Sequence, residues 1–194
     1  PVSERRIDKE DSETVPEEAI FEEARRCMNC ACYSVNASDI SPVLLMDDAD
    51  IVTTRKTISA KDFFTTELDT KDMLEPGELV KEIRINKLDG YMTHYEKLRI
   101  RPSIDFAIIS LTTAVKKAAD KVDDIRLVLG GVAPVPIRLY QVEDYLKGKT
   151  MTADLIDQAV DMAVADCFVL RKNAYKVTQV KTYLKRFLER SEER

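Results

Sequence analysis

The chain is 194 residues long, 44% hydrophobic and 34% charged, enough for one good core or two small ones without help from a metal or disulfides. Its formal net charge of -5, with no basic stripe interleaved with aromatics, argues against nucleic-acid and anionic-membrane partners. The longest apolar runs, such as Phe106 to Leu111 and Ile125 to Val132, fall far short of the roughly 20 residues of a membrane span, so a soluble protein is expected.

Residues 1–35 are expected to form a linker and a cysteine-bearing helix. Pro1 to Pro16 is charged with little to bury, and a start on Pro1 suggests a domain cut from something longer. After Pro16, the residues Ala19, Ile20, Phe21, Ala24 and Cys27 recur at helical spacing. That helix delivers Cys27, Cys30 and Cys32 at its end. Three clustered cysteines and a distant Cys167 are no disulfide framework, so a reducing, cytoplasmic compartment is expected.

Asn36, Ser38 and Asp39 offer N-cap oxygens ahead of Pro42, and Val43 to Met46 continue as a short buried helix. Ile51 to Thr54 and Arg55 to Ser59 read as a β-hairpin, and Ala60 to Thr65 as a helical turn. Glu75-Pro76-Gly77 is a turn signal that separates an extension, residues 36–75, from the main domain, residues 76–194. Four extended patterns follow, Leu79 to Ile85, Met92 to Ile100, Ala107 to Lys116 and Ile125 to Val132, and short connections favour an antiparallel sheet.

Beyond Pro134 and Pro136 the period becomes helical over Gln141 to Leu146, Ala153 to Cys167 and Ala174 to Glu189. Leu155, Ile156, Ala159, Val160 and Ala163, and again Val177, Val180, Leu184 and Phe187, each form one apolar stripe. The expected fold is α+β: an antiparallel sheet of about four strands, about three C-terminal helices on one face, and a small N-terminal α/β extension. Cys167, beside Ala163 and Val164, is expected in the core.

Ser38-Asp39-Ile40-Ser41-Pro42-Val43 resembles a segment near the end of the flavin-binding domain in the xanthine dehydrogenase and carbon monoxide dehydrogenase flavoprotein family, and Phe63-Phe64 matches its Phe pair. Leu74-x-Pro76-Gly77-Glu78-Leu79-x-x-Glu82-Ile83-x-Ile85 resembles the strand that opens that family's C-terminal domain. Tyr95-x-Lys97-x-x-x-Arg101-x-x-x-Asp105 and Leu129-Gly130-Gly131-Val132-Ala133-Pro134-x-Pro136-x-Arg138, followed by Glu143-x-x-Leu146-x-Gly148, complete the ordered set. The resemblance implies that residues 36–75 are a remnant of the flavin-binding domain. It also implies an accessory role in a flavin-dependent, pyridine-nucleotide-linked oxidoreductase, either walling a cofactor site or docking a redox subunit. An interaction module that keeps the fold without flavin is the alternative.

The family binds the FAD pyrophosphate through glycine-rich segments, and these have no counterpart here, so FAD is expected to be missing from this fragment. In their place, Glu22-Glu23-Ala24-Arg25-Arg26-Cys27-Met28-Asn29-Cys30 resembles an element of flavoproteins related to the small subunit of glutamate synthase. That implies an upstream oxidoreductase domain in the same polypeptide.

The resemblance places Asp39 and Lys97 beside the flavin as cofactor-binding candidates. The plainer readings are a first-turn acid at a helix N-terminus for Asp39 and a solvated strand lysine for Lys97, with Arg101 and Asp105 pairing across Pro102. Cys27, Cys30 and Cys32 are metal-ligand candidates for zinc or an iron–sulfur centre, but a fourth ligand is lacking and free thiols are the default. Gly130 and Gly131 read as a bulge or sharp strand exit, and His94 as a surface or packing residue. No catalytic acid, base or nucleophile can be assigned.

Overall fold

The computed structural model describes residue 18 and residues 39–64, 73–100 and 105–192. The expected α+β fold is present, as two antiparallel sheets and five helices among those residues. Helix α1 (Ser41–Asp47) precedes strands β1 (Asp50–Thr53) and β2 (Thr57–Ser59), the short helix α2 (Ala60–Phe63) and strand β3 (Val80–Arg84). Strands β4 (Met92–Leu98), β5 (Ile109–Ala118), β6 (Lys121–Gly130) and β7 (Ile137–Arg138) come next. Helices α3 (Tyr140–Leu146), α4 (Ala153–Met162) and α5 (Tyr175–Glu192) close the fold.

The larger sheet has the order β4-β5-β6-β7 and the smaller β2-β1-β3, all pairs antiparallel. One expectation is corrected here. The Leu79 to Ile85 pattern is a strand, but it pairs with β1, Ile83 opposite Ile51, and not with the three strands that follow. Alternation identifies a strand, while its partner is set by non-local packing, and β3 is exposed along its whole length. The fourth place in the larger sheet goes to the two-residue β7, where Arg138 and Ile137 face Val128 and Leu129.

Alternation along β5 and β6 splits the larger sheet into two buried faces. Ile109, Leu111, Val115, Ile125, Leu127 and Leu129 point to the C-terminal helices, which contribute Val142, Leu146, Ile156, Ala159, Val180, Leu184, Phe187 and Leu188 to a single core. The predicted apolar stripes of α4 and α5 therefore pack on one face, together with α3. His94 is part of this packing, its ring stacked on Phe187 at 6.0 Å between centroids.

The opposite face is covered by α1, whose Leu45 and Met46 meet Ala114 and Val128. Leu44, one position earlier, turns instead to Ala49, Ile51, Ala60 and Phe63. Seven residues thus serve two cores, because neighbouring helix positions lie about 100° apart.

Helix α4 ends at Met162, five residues short of the predicted end, and the segment beyond it runs through turns. Cys167 is exposed, not in the core: once the helix stops, the 3.6-residue period no longer directs its side chain inward. No helix among the described residues is long and apolar enough to cross a membrane.

Candidate functional site

Asp39 and Ile40 lead into α1, and the sheet face that α1 covers determines what Asp39 meets. Residues two apart in a strand share a face, so Tyr95 and Lys97 of β4 project together. Their partners across the ladder are Thr112 and Ser110 of β5. Lys97 Nζ donates to both oxygens of Asp39, at 2.9 Å to Oδ1 and 2.8 Å to Oδ2, and to the carbonyl oxygen of Asp105 at 3.1 Å. The Tyr95 hydroxyl donates to the same Oδ1 at 2.9 Å. The two residues singled out in sequence are therefore in direct contact.

The pair is largely withdrawn from water, with side chains 14% exposed for Lys97 and 28% for Asp39. Burial, then the Asp39 carboxylate accepting its proton, pushes the Tyr95 phenol well above its ordinary 10.0. Asp39 is not an N-cap: the capping position is Ile40, with no side-chain cap bond. The carboxylate reaches across to the sheet, where an ammonium and a phenol outbid a single backbone N–H. The solvated-lysine reading of Lys97 fails for the same reason.

Tyr95 belongs to the quoted motif but carried no role in the sequence reading. The signal was present in its two-residue offset from Lys97. Tyr95 is 39% exposed as a residue while its hydroxyl is bonded, so the site presents an aromatic residue beside a neutralised ion pair.

A second set of charges holds the other end of α1. Arg126 Nη1 donates to Met46 O at 2.9 Å and Arg138 Nη1 to Leu45 O at 3.2 Å, and both guanidinium groups also meet the Asp48 carboxylate. Glu143, buried beneath them, accepts from Leu127 N at 2.7 Å and from Arg138 Nε at 2.9 Å. The Arg138 and Glu143 of the motif are thus structural: Arg138, like Arg126, donates to a carbonyl left open at the C-terminus of α1, and Glu143 holds the Arg138 guanidinium in place.

Gly131 leaves β6 at φ +71, where a Cβ would lie 3.1 Å from the carbonyl oxygens of both Ala107 and Ile108. The close approach that this glycine permits is to the protein's own backbone, in keeping with the strand-exit reading. Arg101, Cys27, Cys30 and Cys32 lie outside the described residues. Among those that are described, no group of three His, Cys, Asp or Glu side chains could hold a metal ion.

Residues 93–191 match the model of the CO dehydrogenase flavoprotein C-terminal domain. The glyceraldehyde dehydrogenase medium chain of Sulfolobus acidocaldarius is 36% identical over 124 residues, covering 62% of this chain and 43% of that protein. The carbon monoxide dehydrogenase medium chain of Hydrogenophaga pseudoflava is 33% identical over 114 residues, 58% of this chain and 39% of that one. The chain therefore spans about two fifths of these relatives.

Among solved structures, a carbon monoxide dehydrogenase from Hydrogenophaga pseudoflava lacking the Mo-pyranopterin moiety superposes with a TM-score of 0.70 at 27% identity, over 79% of this chain and 56% of that one. Quinoline 2-oxidoreductase from Pseudomonas putida 86 shares the fold, with a TM-score of 0.68 at 16% identity, over 83% and 59% of the two chains. With more than half of its residues matched by the family model, this chain belongs to the CO dehydrogenase flavoprotein C-terminal domain family.

Proposed function

We propose that the chain is the cofactor-flanking accessory domain of a flavin-dependent, pyridine-nucleotide-linked oxidoreductase, with the site at Asp39, Tyr95 and Lys97 forming one wall of the flavin pocket. The observation that carries this reading is the bond between Asp39 and Lys97, which joins two separate motifs at one point. A bound flavin supplies the electron and hydride chemistry. The chain's own residues would orient the ring edge: Tyr95 offers an aromatic surface, and the ion pair of Lys97 and Asp39, anchored to the Asp105 carbonyl, fixes a polar boundary beside it. In this reading residues 36–75 are what remains of the flavin-binding domain. An upstream oxidoreductase domain of the same polypeptide and a redox subunit are the partners, in a cytoplasmic setting that keeps Cys27, Cys30 and Cys32 as free thiols.

The fit is to the ring and not to the pyrophosphate. The chain's five glycines form no glycine-rich segment, and the space at Gly131 is filled by the backbone of Ala107 and Ile108. The chain alone should therefore bind FAD no better than it binds the ring.

Fluorescence titration of the full chain with riboflavin and with FAD tests this. Weak quenching, similar for both flavins and abolished by Lys97→Met, is expected. A stoichiometric yellow complex with FAD at micromolar concentration would overturn the pyrophosphate argument. If neither flavin is quenched, the ring-wall reading fails. A second reading, an interaction module that has kept the fold without flavin, is favoured by one observation: the Lys97 ammonium is already engaged by Asp39 and the Asp105 carbonyl.

A further inference from the structure

On the helix face of the larger sheet, away from Asp39, lies a cavity of about 680 Å³ between the end of β6, the link to β7, the end of α4 and the start of α5. Its wall is mainly apolar, with Leu129, Val132, Ile137, Val164, Val177 and Val180 among the lining residues. Phe168, 87% exposed, and Cys167, also exposed, stand at its edge. A cavity of this size and lining is suited to a small apolar ligand.

The charges in the wall narrow the ligand's chemistry. Arg138 is engaged by Glu143 and Asp48, and Asp166 is exposed. Lys176 is different. It is half-buried, donates to the carbonyl oxygen of Gly131, and burial holds its ammonium below the usual lysine range.

Among the described residues no carboxylate lies within ion-pair distance of it. It also sits in the first turn of α5, which has no acidic residue there. A cation at that end of a helix opposes the helix dipole, and an ammonium with one carbonyl partner keeps unused donors. An anionic group at Lys176 would answer both.

We propose that this cavity binds a medium-chain carboxylate, its apolar tail among Leu129, Val177 and Val180 and its carboxylate on Lys176. The site is independent of the flavin reading, because it lies on the other face of the sheet.

The test uses the full chain with decanoate as the probe and 1-decanol as the uncharged control. Affinity is read by calorimetry, and occupancy by the alkylation rate of Cys167, followed on its own peptide by mass spectrometry. Decanoate should bind about tenfold more tightly than decanol, and Lys176→Met should remove that advantage without weakening decanol, as expected for one charge-assisted hydrogen bond. Bound decanoate should slow alkylation of Cys167. Equal affinity for decanoate and decanol, no detectable decanoate binding, or undiminished decanoate affinity in folded Lys176→Met would overturn the proposal. Should that variant fail to fold, the decanoate-to-decanol ratio on the unaltered chain decides alone.

Discussion

Lys97 and Asp39, 58 positions apart in sequence, form an ion pair in which one ammonium spans both carboxylate oxygens, while Tyr95 shares Oδ1. Replacing Asp39 by Asn leaves the ammonium poorly compensated in a half-closed site. We expect a loss of about 1–2 kcal/mol, below the 3–5 kcal/mol typical of a wholly buried pair, measured by urea denaturation.

The same contact predicts a pH dependence. Below pH 10 the Tyr95 phenol is protonated in both folded and unfolded chains, so its bond to Asp39 contributes fully. Above its ordinary 10.0 the unfolded chain releases that proton and the native state resists, so stability falls as pH rises. Absorbance titration near 295 nm should find one tyrosine that ionises well above the exposed ones. Asp39→Asn should lower its pKa without restoring the ordinary value, because burial is the larger cause.

Glu143 is buried and compensates Arg138, whose side chain is 8% exposed, while also receiving the amide of Leu127. Glu143→Gln preserves shape but leaves the half-exposed Asp48 as the carboxylate that compensates the guanidinium. A destabilisation of about 3 kcal/mol is expected, seen as a lower urea midpoint with an unchanged m-value.

Gly131 and Gly148 both have positive φ, but a Cβ at Gly148 would meet nothing within 4 Å. Gly148→Ala should therefore cost only the backbone strain, about 1 kcal/mol. Gly131→Ala adds the clash with two carbonyl oxygens and should cost about 2–3 kcal/mol. Thermal melts of the two variants should rank in that order.

Leu184 is fully buried under the sheet. Leu184→Ala should lower stability by about 2–5 kcal/mol, whereas Lys185→Ala, which loses only an exposed contact to Asp157, should leave the melting temperature nearly unchanged.

The residue pattern carried these helices well: the spacing of Ile156, Ala159 and Val160, or of Val180, Leu184 and Phe187, depends only on local geometry. The pairing of β3 did not follow from it, since Val80 to Arg84 would alternate equally well beside β1 or β4. The extent of β6 was also underestimated. Lys121, Asp123 and Asp124 look like loop residues, but they sit in a hairpin that continues to Ala118 and Lys121, with a bulge at Lys116 and Lys117.

For the site, Asp39 and Lys97 were visible only through family motifs, because nothing local indicates that residues so distant will touch. Tyr95 was within reach of the strand period alone. Arg126, which holds the far end of α1, has no signal at all: a lone arginine in a strand reads as a solvent-facing charge.

The double attachment of α1 bears on how the molecule unfolds. A seven-residue helix is too short to persist alone, so α1 depends on the packing of Leu44, Leu45 and Met46 and on its attachments, Lys97 through Asp39 at one end and Arg126 and Arg138 at the other. It also shields Ala114 and Val128 on one side and Ala49 and Ile51 on the other. Loss of α1 as a whole would bare both sheets to solvent at once. The two sheets should therefore share one calorimetric transition, and the slowest-exchanging amides of β1 and of β6 should open with the same free energy.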